Sequence, residues 1–300
     1  MNSKVVKNIA IVAGILVGIG IILTLVGGLN GGFWDSGQAV NKHVSVEKFE
    51  NIKVDVDVFS VKVVQGDGYQ VDYSYTDKKE KPRIHVEGDT LIVDSQKGQH
   101  FFNFDLIGGL NLLKNHHRQE VVITYPRHVK LGNVTLAQDL GDCNIEGGSF
   151  DLLDVTLDMG DLALSSVFMD KFHLNMSKGD CTISSVKANK GKINMDMGNF
   201  TATAFVAKGL DILLSAGDLD LQGTFQGTNN LETDMGEINV DTDLPKSRYS
   251  YHFAVDMGDV TIDGNSAKSQ SVVNINAPNQ LNLTSGVGDS NVNFGKESVD

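Results

Sequence analysis

Acidic residues follow glycine at regular positions in the second half of this 300-residue chain. Repeated carboxylates could line an edge that binds a hard cation such as Ca²⁺, because such cations take several oxygen ligands. The alternative is turn chemistry, in which an Asp side chain accepts a backbone N–H at a tight bend. We favour turn chemistry, with no cofactor, because the G-G-x-G-x-D pattern of calcium-binding β-rolls is absent from the sequence. The acids that follow the glycines are Asp142, Asp161, Asp180, Asp218, Glu237 and Asp259, and a second set lies two residues before them: Asp139, Asp158, Asp196, Asp234 and Asp256.

The glycines at these steps recur with a period of 19 residues. Five successive intervals are all 19, with Gly198-Asn199 in the one register that lacks an acid, and two further steps follow after 22 and 30 residues. We expect a glycine at each corner of a repeat, where a positive φ or a close backbone approach excludes a side chain. The predicted corner glycines are Gly141, Gly160, Gly179, Gly198, Gly217, Gly236, Gly258 and Gly288.

Apolar residues alternate with polar ones on both sides of each corner, for example at Val155 and Leu157 before Gly160 and at Leu162 and Leu164 after it. This alternation predicts two short strands per repeat, each with one buried face. A repeat of this length cannot bury its own apolar face, whereas stacked repeats bury all faces together. The sequence therefore predicts an all-β fold, a parallel β-solenoid of about 19-residue rungs over residues 131–294.

The two cysteines, Cys143 and Cys181, occupy the same column two rungs apart, with Leu162 between them. Their separation should be about 10 Å, whereas a disulfide needs Cα atoms within about 7 Å. We therefore predict two buried free thiols.

Residues 44–130 contain further strand patterns and are predicted to form starting rungs or a cap at the open end of the solenoid. An insertion at residues 99–118 is rich in Phe and Leu without alternation. It could cover the solenoid end, which we favour, or be an exposed apolar element that contacts lipid or a partner. Residues 295–300 are interpreted as a tail.

The N-terminal segment has the properties of a membrane anchor. Residues 8–29 carry no ionisable side chain and are long enough to form a transmembrane helix across a hydrocarbon core of about 30 Å. Lys4 and Lys7 precede this segment, which predicts a cytoplasmic N-terminus at residues 1–7 and an extracellular C-terminal domain on a cell membrane. A cleaved signal peptide is the alternative. Glycine-rich residues 30–43 are interpreted as a linker.

The net charge of −13 limits the partners that the protein can bind. Lys4 and Lys7 supply +2 of it, so the remaining chain carries −15. Binding to nucleic acid by phosphate neutralisation is excluded, because there is no basic excess. An acidic domain favours cationic partners, and we expect a surface carbohydrate, a cationic peptide or an envelope protein, besides the lipid bilayer that the N-terminal helix would contact.

The order of these features resembles a known family. The residues that carry the resemblance are Phe49 and Ile52, Gly66-Asp67, the strand after Gly88-Asp89, the strand before Pro126 and the repeated Gly-Asp corners through Gly288-Asp289. Over residues 44–294 the chain resembles the "putative adhesin" domain-of-unknown-function family of bacterial cell-envelope proteins, related to Lia-type envelope-stress proteins. The resemblance implies a surface-exposed β-solenoid-like domain and carries no catalytic residues.

These observations predict a non-enzymatic binding protein, either adhesin-like or associated with envelope stress. The acids recur at one position in every repeat, whereas a catalytic site needs an irregular constellation. A regulatory membrane protein that binds another envelope protein is one alternative. A carbohydrate-active enzyme built on a β-helix is the other, and its side-groove carboxylates would do the chemistry.

Overall fold

The computed structural model describes residues 39–76, 81–95, 119–267, 270–272, 274 and 276–297. These ranges form 23 strands and a short 3-10 turn at Lys246–Arg248, so the predicted all-β class is confirmed. No helix in them has the length and apolar character to cross a membrane. The predicted transmembrane segment 8–29 and the insertion 99–118 lie outside the described residues.

The strands, numbered in chain order, form two long stacks. Stack A contains the segments that follow the corner glycines and the strands that extend this row at both ends, and neighbouring segments are hydrogen-bonded. From one end to the other its strands are β1 (Ala39–Ser45), β4 (Gln70–Thr76), β7 (Glu120–Pro126), β3 (Ser60–Gly66), the first parts of β9 (Cys143–Met159) and β10 (Leu162–Lys178), β11 (Cys181–Ser184), β13 (Phe200–Ala207), β15 (Leu219–Phe225), β17 (Ile238–Pro245), β23 (Ser290–Gly295), β19 (Val260–Ile262) and β20 (Asn265–Ala267).

Stack B contains the segments that precede the corner glycines and the strands that extend this row at both ends. Strands β9 and β10 are long enough to contribute their second parts here. The order is β5 (Arg83–Glu87), β6 (Thr90–Asp94), β2 (Asn51–Val56), β8 (Leu131–Leu140), β9, β10, β12 (Lys187–Met197), β14 (Leu210–Ala216), β16 (Thr228–Met235), β22 (Asn279–Val287), β18 (Tyr249–Met257) and β21 (Gln270–Val272).

Residues 19 apart in sequence lie opposite each other in neighbouring rungs. Leu162, for example, pairs with Cys143 on one side and Cys181 on the other, in parallel register. Both cysteines are buried and free, as predicted. The alternation places one apolar column from each strand in a shared core, in which the Phe172 and Phe205 side chains are fully buried.

The sequence interpretation missed a third side of the rung. In four successive rungs a residue six positions after the corner glycine has a positive φ: Gly147 (73°), Ser166 (57°), Ser185 (57°) and Ala204 (50°). The chain turns there and adds a short strand such as Val167–Met169, which pairs with residues in both neighbouring rungs. The small side chains at this position were the available signal, since they reduce steric conflict at an unusual φ.

The rungs are not stacked in chain order at either end. Stacking in chain order would place the Gly258 rung next to the Gly236 rung, but the β22–β23 rung, with Gly288, lies between them. The reason is capping. Antiparallel strands β20 and β21 cover the outer edges of β19 and β18, so that rung must be outermost. Short edge strands limit pairing with other chains.

The opposite end is capped in a similar way. Strand β2 lies between β6 and β8, and β3 lies between β7 and β9, so these strands of the predicted cap region continue the same stack. Strands β4 and β5 then pair antiparallel with β7 and β6 at the end. The predicted linker of residues 30–43 is too long, because β1 begins at Ala39 and pairs with β4. The mostly polar sequence of β1 lacks the apolar columns of the rungs, so the strand was not recognised from the sequence.

Candidate functional site

The corner glycines stack directly on one another. Gly160 has a φ of 148°, and a Cβ on it would lie 2.0 Å from the carbonyl oxygen of Gly141. The N–H of Gly160 donates to the carbonyl of Lys178 in the next rung at 3.0 Å. The same overlap, with a Cβ 1.8 to 2.2 Å from a neighbouring carbonyl oxygen, holds at all eight predicted corners. A side chain there would separate the rungs.

The acids beside these glycines form a ladder along the edge. One side-chain oxygen of Asp161 accepts a hydrogen bond from the backbone N–H of Asp180 at 2.9 Å, and Asp180 accepts one from Asn199 at 2.8 Å. Asn199 does the same for the N–H of Asp218 at 2.9 Å. Asp142, Asp218 and Asp289 likewise accept the backbone N–H groups of Asp161, Glu237 and Asp259 in neighbouring rungs. These carboxylates therefore accept backbone N–H groups of a neighbouring rung, and an amide can replace one of them.

No group of three or more metal-binding side chains occurs among the described residues. The predicted alternative is a cation-binding edge. Its carboxylates lie in a row with one per rung and do not converge on a common point. They belong to Asp142, Asp161, Asp180, Asp218, Glu237 and Asp259.

A row of exposed apolar side chains lies immediately before the corner glycines, and sequence reasoning missed it. Nine large apolar residues are exposed in the described chain, and six of them occupy this one position, with exposed fractions between 43% and 64%. We call this row the apolar ridge. Its members are Leu140, Met159, Met197, Met235, Val287 and Met257.

Methionine alternates with other residues along the ridge. In spatial order the positions hold Leu140, Met159, Lys178, Met197, Ala216, Met235, Val287 and Met257. The alternation continues across the inserted β22–β23 rung, although Met235 and Met257 come from successive corners in the sequence. A methionine therefore projects at every second rung, about 9.6 Å apart. This spacing is a property of the assembled surface.

Acids flank the ridge on both sides. One row is the ladder that follows the glycines. The other lies two residues before them and accompanies the large apolar residues: Asp139, Asp158, Asp196, Asp234 and Asp256, all of them exposed. The available signal was the repeated Asp-Met-Gly of residues 158–160, 196–198, 234–236 and 256–258. We call the ridge and its two acidic rows the corner edge.

The described residues do not form a recognisable catalytic site. Burial raises the pKa of the Cys143 thiol to about 12 and that of the Cys181 thiol in the same direction, so neither is a ready nucleophile. His43 and Asp72 form a 2.6 Å contact, but their side chains are 57% and 42% exposed and join the cap strands β1 and β4. A surface cross-strand pair of this kind is structural.

Comparison with known proteins gives the family. No curated protein matches the chain. Among solved structures, it is similar to a "putative adhesin" from Bacteroides fragilis NCTC 9343, with 13% identity, a TM-score of 0.49 and coverage of 85% of this chain and 97% of that one. It is also similar to a "putative adhesin" from Parabacteroides distasonis ATCC 8503, with 15% identity, a TM-score of 0.46 and the same coverage.

A third similar structure, a "putative lipid binding protein" from Parabacteroides distasonis ATCC 8503, is 11% identical, with a TM-score of 0.41 and coverage of 87% of this chain and 98% of that one. The family model of the Toastrack domain DUF4097 matches residues 49–293. That span is more than half of the chain, and the chain belongs to the Toastrack DUF4097 family.

Proposed function

We propose that the protein is a membrane-anchored, non-enzymatic binding domain on the outer face of a cell membrane, and that its corner edge binds a cationic, amphipathic partner. The observation that carries the proposal is the apolar ridge between two acidic rows. Exposed apolar patches rimmed by polar groups mark interaction sites, and methionine suits a surface that must adapt to its partner.

The charges on this edge favour a cationic partner. Carboxylates follow most corner glycines, and a second carboxylate precedes them in every rung that carries a ridge methionine. Acidic rows beside an apolar strip would attract Lys or Arg side chains and reject anionic surfaces. The ridge would supply the buried apolar area, and the carboxylates would set orientation and association rate.

The methionine spacing favours an α-helix as the bound element. Two rungs rise about 9.6 Å, and two turns of an α-helix rise about 10.8 Å. Apolar side chains seven residues apart on a helix would therefore meet successive methionines with a mismatch of about 1 Å. A helix with basic residues beside that apolar strip would match the corner edge in period and charge.

The membrane anchor is the second part of the proposal. Residues 8–29 are uncharged and Lys4 and Lys7 precede them, which would leave the β domain outside the cell. A partner on another cell would make the protein an adhesin, as the similar structures are named. An integral-membrane partner would instead support the alternative of a regulatory membrane protein that binds another envelope protein. Crosslinking in intact membranes distinguishes these two, because only the second yields a stable integral-membrane complex.

Binding of a model helix tests the corner edge. The probe is a synthetic peptide with Leu at helical spacing and Lys on both sides, titrated by fluorescence anisotropy onto the full chain in zwitterionic nanodiscs. We expect the triple variant Met159→Ser, Met197→Ser, Met235→Ser to bind at least tenfold more weakly. Phe168→Ser, which removes an exposed aromatic residue elsewhere, is the control and should bind normally. Equal binding by the triple variant would contradict the proposal.

A further inference from the structure

A cluster of unpaired lysines lies on the opposite edge of the rungs from the acidic corner. Five lysines are exposed near the turn that leads from the third short strand into stack B. None of them is in a salt bridge with a carboxylate of the described chain, whereas nearby Lys130 contacts both Asp151 and Asp170. We call this cluster the lysine patch, and its members are Lys171, Lys187, Lys190, Lys192 and Lys208.

Rung stacking brings these lysines together. Lys171 and Lys190 lie opposite each other in neighbouring rungs, and Lys192 follows two residues later on the same strand and the same face. Lys208 belongs to the next rung, where its N–H donates to the carbonyl of Ala188 at 3.2 Å. The patch therefore spans three rungs, about 10 Å along the stack. Like charges at this spacing repel one another unless an anion lies across them.

An exposed aromatic side chain adjoins the lysine patch. Phe168 is 51% exposed, and the Nζ atom of Lys187 lies 5.5 Å from its ring centroid. Partly exposed Val206 pairs with Lys187 on the side away from Phe168. Phe168, Lys187, Lys208 and Lys130 line a depression of about 300 Å³, together with Asp170, which Lys130 contacts. Cationic and apolar groups thus share one surface on a chain that is otherwise strongly acidic.

We propose that the lysine patch and Phe168 dock the domain onto an anionic bilayer surface. Lysines close to such a surface are attracted by its negative potential, and an aromatic ring gains by entering the boundary between headgroups and acyl chains. A soluble polyanion would satisfy the lysines and leave the phenyl ring in water, so the bilayer accounts for both features. The acidic corner edge would face away from the membrane and remain open to partners.

The dimensions permit this orientation together with the anchor proposed above. The β10 rung, which carries Phe168, is the sixth segment of stack A counted from β1, about 24 Å along the stack. Nine residues separate the apolar segment from β1, and a chain of nine residues spans at most about 30 Å when fully extended. Docking does not require the anchor, which would only raise the local concentration of the patch at the membrane.

A tryptophan at position 168 reports docking. The full chain has one tryptophan, Trp34, so the probe is Phe168→Trp in a Trp34→Phe background, mixed with vesicles that contain brominated lipid. We expect at least twofold quenching with 30% anionic lipid in 50 mM salt. The tryptophan fluorescence should fall by less than a tenth in zwitterionic vesicles or in 500 mM salt. Replacing Lys171, Lys187 and Lys190 by Gln should raise the anionic fraction needed for half-maximal quenching about twofold.

Met197→Trp in the same background is the matched control, because Met197 lies on the corner edge, about 23 Å from Lys190 along β12. It should stay unquenched in every vesicle. Equal quenching at the two positions, or no quenching at 168 in anionic vesicles, would overturn the proposal. Lysine-dependent binding of polyphosphate without any quenching would also overturn it and assign the patch to a soluble polyanion. Flotation of the full chain with zwitterionic vesicles tests membrane insertion of the anchor separately.

Discussion

Single residues carry two separable roles along the corner edge. The glycine permits backbone contact between rungs, and the acid after it accepts an N–H from the next rung, as for Asp161 and Asp180. The acid is therefore needed for the fold as a hydrogen-bond acceptor, and this role does not require its charge. Asn199, which accepts the same bond in one rung, separates these two properties within the native chain.

Replacing a corner glycine should destabilise the protein severely. A Cβ in Gly160→Ala would overlap the carbonyl oxygen of Gly141 at 2.0 Å, at a φ of 148°. We expect a loss of at least about 2 kcal/mol in the free energy of unfolding, measured in urea. Gly68→Ala is the control, since nothing lies within 4 Å of its Cβ position. Similar stability of the two variants would rule out close corner stacking.

Replacing a corner acid should separate hydrogen bonding from charge. Asp180→Ala removes the acceptor of the Asn199 N–H at 2.8 Å and should cost about 1 kcal/mol. Asp180→Asn keeps an acceptor, as Asn199 does, and should unfold at nearly the wild-type urea concentration. If Asp180→Asn were as unstable as Asp180→Ala, or if millimolar Ca²⁺ raised the Tm of the wild type alone, the cation alternative would be favoured.

The buried cysteines should make the fold sensitive to alkali. Burial raises the pKa of the Cys143 thiol to about 12, whereas an unfolded thiol has a pKa of about 8.5. Below the pKa of the unfolded thiol, the folded and the unfolded protein both hold the proton. Between the two pKa values only the unfolded protein loses it, so the free energy of unfolding falls as pH rises. Between pH 8 and 10 we expect a loss of about 1–2 kcal/mol per cysteine. Cys143→Ala with Cys181→Ala should show a smaller loss; an unchanged loss would contradict this assignment.

The elements show which parts of the fold the sequence could predict. Columns such as Leu162 between Cys143 and Cys181 are visible because 19-residue spacing and alternation are local patterns. The third side of the rung depends on a turn at Ser166 and Ser185, where only side-chain size hints at a positive φ. Rung order at the ends depends on which edges the antiparallel strands cover, and tertiary packing, not a local sequence pattern, determines that. The apolar ridge was overlooked because methionine normally indicates core.

Engineered cysteines test the rung order. Positions 237 and 289 lie in neighbouring rungs, because Ile238 pairs with Ser290. Their Cα atoms should be about 5 Å apart, within disulfide range. In a chain with Cys143→Ala and Cys181→Ala, the pair Glu237→Cys and Asp289→Cys should crosslink on mild oxidation. The pair Glu237→Cys and Asp259→Cys, two rungs apart, should not. The reverse result would restore stacking in chain order.

At the scale of the whole molecule, the described residues form a long β stack with opposite chemistry on two edges. The acidic corner edge, with its alternating methionines, is suited to a cationic partner, and the lysine patch with Phe168 is suited to an anionic membrane surface. Net charge alone indicated only the first of these, because the lysines are few and gather only when the rungs stack. Repetition thus builds surfaces that no single repeat contains.

Methyl NMR of the methionines tests the binding role of the corner edge most directly. In the full chain in zwitterionic nanodiscs, Met159, Met197, Met235 and Met257 are exposed, while Met169, Met176 and Met195 are buried. With ¹³C-methyl methionine and the cationic helical peptide as titrant, the account predicts shifts of the four exposed methyl signals at one common affinity. The three buried signals should hardly move. Unchanged exposed signals at saturating peptide, or equal shifts in both groups, would contradict the account.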